Sequence, residues 1–409
     1  MSSLEIRVDP SAMGMDPQRL DRIATHFDRY VEDRRLSGWL ATVSRGGELV
    51  WKGMGGDRDR ERGLAVTDDT IWRIYSMTKP ITTVAAMMLY EEGRFDLNDD
   101  AGRWIEALRE PRVWSGGSSR KPETVPATGP VRIHHLLSHM SGLTYGFNYV
   151  HPVDAIYRAK GYNFGYAHGA DLDQAVHDWC TSPLLFQPGT RWNYSVSVDV
   201  LGRLIEIWSG QSLDVFVRER VLGPLEMDDT EWWCPQHKAD RLAMLYAPTS
   251  TGAQPIEELA RVALRAPQLL AGGGGLLSSA PDYNRFMTML LRGGELNGVR
   301  LLSRRTLDLM TQNHLPGDVD LARIATDSFS EAEYAGVGFG LGFSVIVDEA
   351  KNKSPVSRGS FAWGGAASTA FWVDPAEDLT VSFFTQLLPS GTHPIRRELQ
   401  QLVYQALID

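Results

Sequence analysis

The chain lacks the features that would send it across a membrane, onto nucleic acid or into an oxidising compartment. No uncharged apolar run reaches the roughly 18 residues that a membrane span needs, and Met1 to Asp9 shows no basic segment followed by an apolar one. A soluble, cytoplasmic protein without a membrane partner is expected. Lys and Arg number 41 against 51 Asp and Glu, a formal charge of −10, and no basic cluster could neutralise a row of phosphates. Nucleic acid is therefore not an expected partner. Only two cysteines occur, Cys180 and Cys234, in no spacing typical of zinc sites or redox pairs, so both read as ordinary thiols.

Several catalytic signatures are also absent. There is no His-Glu-x-x-His, and His134, His135 and His139 read as structural, so neither a metal nor a cofactor is expected. No Walker sequence appears, and Gly336-Val-Gly338-Phe-Gly340-Leu-Gly342 does not fit a dinucleotide fingerprint; its alternation reads as a strand. The nearest approach to Gly-x-Ser-x-Gly, Gly210-Gln-Ser212-Leu-Asp214, ends in aspartate and follows an amphipathic helix, which disfavours an α/β-hydrolase.

What is present is a long globular sequence, 409 residues and 43% hydrophobic, enough for a sizeable core. Asp16-Pro17 opens a helix of about five turns with Leu20, Ile23, Phe27 and Val31 on one face. Trp39 to Val43 and Leu49 to Lys52, joined by Arg45-Gly-Gly-Glu48, read as a hairpin. Near the other end, Phe361 to Trp363, Ser368 to Val373 and Leu379 to Thr385 read as strands, followed by a helical pattern from Ile395 to Ala406. The expectation is an α+β fold: one antiparallel sheet built from both chain ends (1–74 and 271–409), flanked by terminal helices. A mainly helical insertion (75–270) would place the active site at the interface. Within it, helices are expected over Ile81 to Glu92, Ile133 to Ser138, Leu172 to Cys180 and Val198 to Ser209, and a surface excursion over Trp114 to Pro130. Gly272 to Gly275 marks the return to the sheet, where consecutive glycines allow backbone geometry strained for other residues.

A serine hydroxyl needs a base within reach to act as a nucleophile at neutral pH. Ser-x-x-Lys supplies one when both residues share a helical turn, and it occurs twice, at Ser76-Met-Thr-Lys79 and Ser118-Ser-Arg-Lys121. The second lies in the Pro/Gly/Ser-rich excursion. The first leads an apolar helical face of Ile81, Val84, Ala85, Met88 and Leu89, with Pro80 tolerated in the opening turn. Burial and the positive helix end both disfavour the ammonium of Lys79, and the same helix start aims amide NH groups at a developing oxyanion.

The motif order adds to this reading. After Ser76-Met-Thr-Lys79 come Leu136-Leu-Ser-His-Met-Ser-Gly-Leu143, Phe186-Gln-Pro-Gly-Thr-Arg-Trp-Asn-Tyr194-Ser, Leu201-Gly202, Ala271-Gly-Gly-Gly-Gly-Leu-Leu-Ser278 and Trp363-Gly364-Gly365. The succession resembles the serine β-lactamase-like superfamily of class C β-lactamases, DD-peptidases and family VIII carboxylesterases. The resemblance implies Ser76, Lys79 and Tyr194 as the catalytic set and the amides of Ser76 and Ala366 as the oxyanion hole. Two positions depart from the β-lactamases: Val196 replaces the Asn of Tyr-x-Asn, and Trp363-Gly364-Gly365 replaces Lys-Thr-Gly. Both changes remove polar groups that hold a β-lactam, and the Trp-Gly-Gly form looks like the family VIII esterases. The implied activity is hydrolysis of small, short-chain carboxylic esters. Trp363, Gly364, Gly365, Tyr145 and Val196 would border the substrate, with the two glycines admitting it close to the strand. The alternatives are a β-lactamase or D-amino-acid peptidase, an acyltransferase, and a non-catalytic binding protein.

Overall fold

The computed structural model describes residues 4–163, 169–326 and 329–409. Helix α1 (Pro17–Glu32) is capped by the Asp16 side chain, which accepts from the Arg19 amide, and begins with Pro17. It buries Leu20, Ile23, Phe27 and Tyr30. Its 16 residues make fewer than the five turns expected, and Tyr30 takes the inward position expected of Val31, which is half-buried.

Three strands follow, β1 (Gly38–Arg45), β2 (Glu48–Asp59) and β3 (Leu64–Ala65). Five more come from the far end of the chain: β4 (Val337–Phe339), β5 (Ser344–Ile346), β6 (Phe361–Gly365), β7 (Thr369–Asp374) and β8 (Leu379–Phe384). They form one eight-stranded antiparallel sheet in the order β4-β5-β6-β7-β8-β1-β2-β3. The ends join where Leu40 pairs with Phe384 and Thr42 with Ser382, whose buried hydroxyls lie 2.6 Å apart. The α+β sheet expected from the two chain ends is therefore present. The glycine-rich run enters the sheet as expected over β4, but its second half, Gly340–Gly342, turns into β5; Gly342 has φ +87°, and a Cβ on Gly340 would overlap the Met310 carbonyl.

Period-two alternation gives the sheet two apolar faces. Trp39, Ala41, Val43, Val381 and Phe383 meet α1 and the C-terminal helix (Ile395–Tyr404) on one side. Leu40, Phe371, Phe384 and Trp363 face the larger core on the other, where helix Ala280–Leu291 lays Tyr283 against Phe371 and Phe384. That core also holds α2 (Thr78–Glu91) and α3 (Ser197–Ser209), packed against each other. Helices Ile133–Leu137 and Leu172–Cys180 lie where the periodicity places them.

The surface excursion is ordered as a ribbon of Arg112–Ser118 and Lys121–Pro126, with Ser118 opposite Lys121 at its exposed turn. Gly272 and Gly273 do not adopt left-handed backbone. Close packing explains them instead, since a Cβ would lie 2.9 Å from the Val198 carbonyl at Gly272 and would overlap the Asp199 carboxylate at Gly273. Among the described residues no helix is long and apolar enough to cross a membrane.

Candidate active site

Ser76 sits in a tight turn, Tyr75–Met77, that runs directly into α2. Tyr75 has φ +42°, a left-handed conformation that an aromatic residue rarely adopts and that surrounding structure must hold in place. The turn leaves Ser76 half-buried while Lys79, in the opening turn of α2, is only 1% exposed. Lys79 Nζ lies 3.3 Å from Ser76 Oγ and donates to the Gly273 carbonyl at 2.5 Å. The glycine run thus passes against α2 and α3 and supplies the acceptor for a buried lysine.

Burial pushes the Lys79 amine down to about 8, against the opposing pull of Asp199 and, less strongly, Glu331. Asp199, in the first turn of α3, accepts from the Gly273 amide at 2.9 Å. Its carboxyl is pushed up to about 6, by burial first, with Lys79 acting in the opposite direction. Neither acid was singled out by sequence. A signal did exist for Asp199, an acid flanked by Val198, Val200 and Leu201 on a helix whose whole first turn is buried.

Tyr194 lies in the loop before α3 and is 1% exposed. Its phenol oxygen accepts from the Trp363 indole Nε1 at 3.3 Å. Lys79 Nζ stands 4.5 Å from the centre of the Tyr194 ring and 5.5 Å from that of Tyr145. Burial, and then the Glu331 carboxylate, hold the phenol well above its ordinary range, so it is neutral at physiological pH. Behind it His139 is fully enclosed, held neutral by burial, with Nδ1 3.2 Å from Ser195 Oγ and its ring edge-on to Tyr194.

Strand β6 brings Trp363 to this cluster, and Ala366 follows it half-buried. The flanking glycines have a packing reason of their own, because the space a Cβ would take is filled by protein. A Cβ on Gly364 would overlap the Arg396 guanidinium, and one on Gly365 would overlap Thr369 Oγ1 and the Ile74 carbonyl. Gly365 thereby lets β6 approach the segment that carries Ser76. Tyr145 stacks on Phe147 at 4.6 Å and meets Tyr194 edge-on at 5.3 Å, while Phe329 closes the group 5.9 Å from Phe147. Val196 is buried and, with Tyr145, Tyr157 and Trp179, lines a cavity of about 40 Å³. Ser76, Lys79, Tyr194, Trp363 and Tyr145 are thus brought together. The other Ser-x-x-Lys match forms the exposed ribbon turn, with Ser118 paired opposite Lys121.

Comparison with known proteins bears on this constellation. The β-lactamase family model matches residues 23–405. The chain is 31% identical over 405 residues to esterase EstB of Burkholderia gladioli, covering 97% of this chain and 98% of that one. It is 35% identical over 358 residues to protein Rv1367c of Mycobacterium tuberculosis, covering 87% and 86%. Among solved structures, EstCE1, described as a hydrolase with promiscuous acyltransferase activity, superposes with a TM-score of 0.81 at 26% identity, covering 95% of this chain and 99% of that one.

Proposed function

The chain belongs to the β-lactamase family, and from that premise we propose that it is a carboxylesterase working through a Ser76 acyl-enzyme. The observation that carries the reading is Ser76 Oγ 3.3 Å from a fully buried Lys79 whose amine is held at about 8. Such a lysine is partly neutral at physiological pH and can take a proton. Tyr194, held protonated, does not act as an anionic base; it relays a proton only by giving up its own in the same step.

Ser76 Oγ attacks the ester carbonyl carbon while its proton passes to Lys79 Nζ, directly or through the Tyr194 hydroxyl. The carbonyl π electrons move to oxygen, and the amides of Ser76 and Ala366 receive the oxyanion. Collapse breaks the bond to the alcohol oxygen, which leaves with the proton now on Lys79, relayed by Tyr194. Water then repeats the sequence and releases the acid. In this reading Ser76, Lys79 and Tyr194 belong to the helical unit 75–270, whereas Trp363 and Ala366 belong to the discontinuous sheet unit 1–74 and 271–409. An apolar Val196 and an indole at 363 offer no ionic partner for a β-lactam carboxylate, which supports esters over β-lactams.

A second reading is favoured by one comparison. EstCE1 carries out promiscuous acyl transfer, and the same acyl-enzyme would give transfer if an alcohol or amine replaced water. The test is a p-nitrophenyl ester series and a fluorophosphonate, read by p-nitrophenol release and intact mass, on wild type and Ser76→Ala. Turnover and a Ser76-dependent adduct are expected, both lost in the variant. Full turnover by folded Ser76→Ala would sink the mechanism. A transferred ester as the main product with added alcohol would make the second reading the leading one.

A further inference from the structure

Glu331 is a carboxylate with no exposed side-chain surface, and it lies outside every sequence motif. A buried carboxylate needs a partner, and its partner comes from the C-terminal helix. Arg396, in the first turn of the C-terminal helix, places Nη2 2.5 Å from Glu331 Oε2, and its Nη1 donates to the Glu331 backbone carbonyl. Ser390 Oγ completes the shell at 3.2 Å and 3.0 Å from the two carboxylate oxygens.

The same guanidinium does a second thing. Nη2 also donates to the carbonyls of Gly365, at 3.3 Å, and Thr369, at 3.1 Å. These two residues are the ends of the turn that carries Ala366. The guanidinium lies flat against β6 only because Gly364 has no side chain. Two residues before Glu331, the Phe329 ring packs 6.2 Å from Tyr194. One side chain therefore ties three things together: the end of β6, the start of β7 and the loop that covers Tyr194.

The turn has other anchors. The Ser368 amide donates to the Gly365 carbonyl at 3.0 Å, the Leu387 amide to the Ala367 carbonyl at 3.1 Å, and Ser368 Oγ to the Leu387 carbonyl at 2.8 Å. Removing Arg396 thus leaves the turn closed but without the guanidinium that joins its two ends. A turn loosened in this way changes where the Ala366 amide points rather than whether the chain folds, and oxyanion donors are sensitive to displacements of this kind.

We propose that Arg396, with Glu331 as its counter-ion, is a positioning residue that aims the Ala366 amide at the oxyanion and holds the Phe329 loop on Tyr194. The inference rests on the reading of Ser76 as nucleophile and Ala366 as oxyanion donor. Its test compares Arg396→Ala with wild type and Ser76→Ala on a p-nitrophenyl ester, with kcat expressed per Ser76 titrated by fluorophosphonate. In Arg396→Ala, kcat per titrated site should fall at least tenfold while KM changes by less than threefold, and millimolar guanidinium should restore part of the loss. A merely structural arginine would lower the melting temperature and the titratable fraction yet leave kcat per titrated site alone. Should Arg396→Ala fail to fold, Arg396→Gln, which keeps bulk and a donor, is read in the same way. A folded variant with kcat within twofold of wild type overturns the inference while the Ser76 reading stands. Wild-type turnover in Ser76→Ala overturns both.

Discussion

Replacing Lys79 by methionine separates the cost of a buried amine from its chemical use. The variant keeps an unbranched apolar stem one atom shorter than lysine, loses the charge and should have no esterase activity. In the folded protein burial, above all, pushes the amine down to about 8, from an ordinary lysine value of about 10.4. A depressed folded-state pKa withholds stability at low pH and returns it as pH rises toward the unfolded value. Wild type therefore bears a penalty of about 3 kcal/mol at pH 7 that disappears above the unfolded pKa. Between pH 7 and 9 the penalty shrinks by about 1 kcal/mol, because the folded state has released its proton while the unfolded state still holds its own. Methionine abolishes this linkage. It also removes the hydrogen bond to the Gly273 carbonyl, a cost of about 1–3 kcal/mol that does not vary with pH. Loss of the lysine further lets Asp199 hold its proton to higher pH, which moves the difference in the same direction. Urea unfolding of both proteins at pH 7, 8 and 9 should therefore show wild type gaining on Lys79→Met by at least about 1 kcal/mol. Parallel stabilities across that range would mean that Lys79 does not titrate near 8 and enters the reaction as an ammonium, which would refute its role as the base.

Two further outcomes follow from the same contacts. Asp199→Asn removes the carboxylate that most strongly favours the Lys79 ammonium while keeping an oxygen for the Gly273 amide, so the acid limb of the kcat/KM profile should move down by about one pH unit; an unmoved limb would disconnect Asp199 from the lysine. Trp363→Phe deletes the indole donor that lies 3.3 Å from the Tyr194 hydroxyl, and kcat should drop about tenfold with the melting temperature nearly unchanged. Unaltered kcat in that variant would reduce Trp363 to packing.

Local signals carried much of the architecture. The Asp16-Pro17 helix start, the Gly-Gly turn after Arg45 and the apolar period of α2 each arise from residues adjacent in sequence, and each lies where its pattern places it. So does the Ser76–Lys79 pair, because a three-residue spacing is a distance once the helix is known. The remainder depended on contacts across the chain. Gly273 meets Lys79 from 194 residues away, and Arg396 meets Glu331 from 65. No periodicity reports such meetings. The glycines show the limit most clearly. Their presence was legible, but no local pattern reports that the missing Cβ at Gly364 makes room for the Arg396 guanidinium.

The electrostatics of the cluster explain why its two basic-looking groups are not interchangeable. Lys79 and Tyr194 are both fully buried and subject to the same carboxylates, yet they respond oppositely to burial. Burial disfavours the charged form of each, which for lysine means release of a proton near physiological pH and for tyrosine means retention of one. The carboxylates of Asp199 and Glu331 then act in one direction on both, restoring some proton affinity to the lysine and adding to that of the phenol. Without them Lys79 would sit lower, a weaker base for Ser76. With them its pKa stays close to the working pH, where a general base combines an available free form with adequate strength. The same field denies Tyr194 an anionic state. A proton arriving at the tyrosine must therefore displace another one outward, and the indole NH of Trp363 orients the hydroxyl. On this argument burial first, and then the two acids that oppose it at Lys79 and add to it at Tyr194, fit the proposed roles of Lys79 as base and Tyr194 as relay.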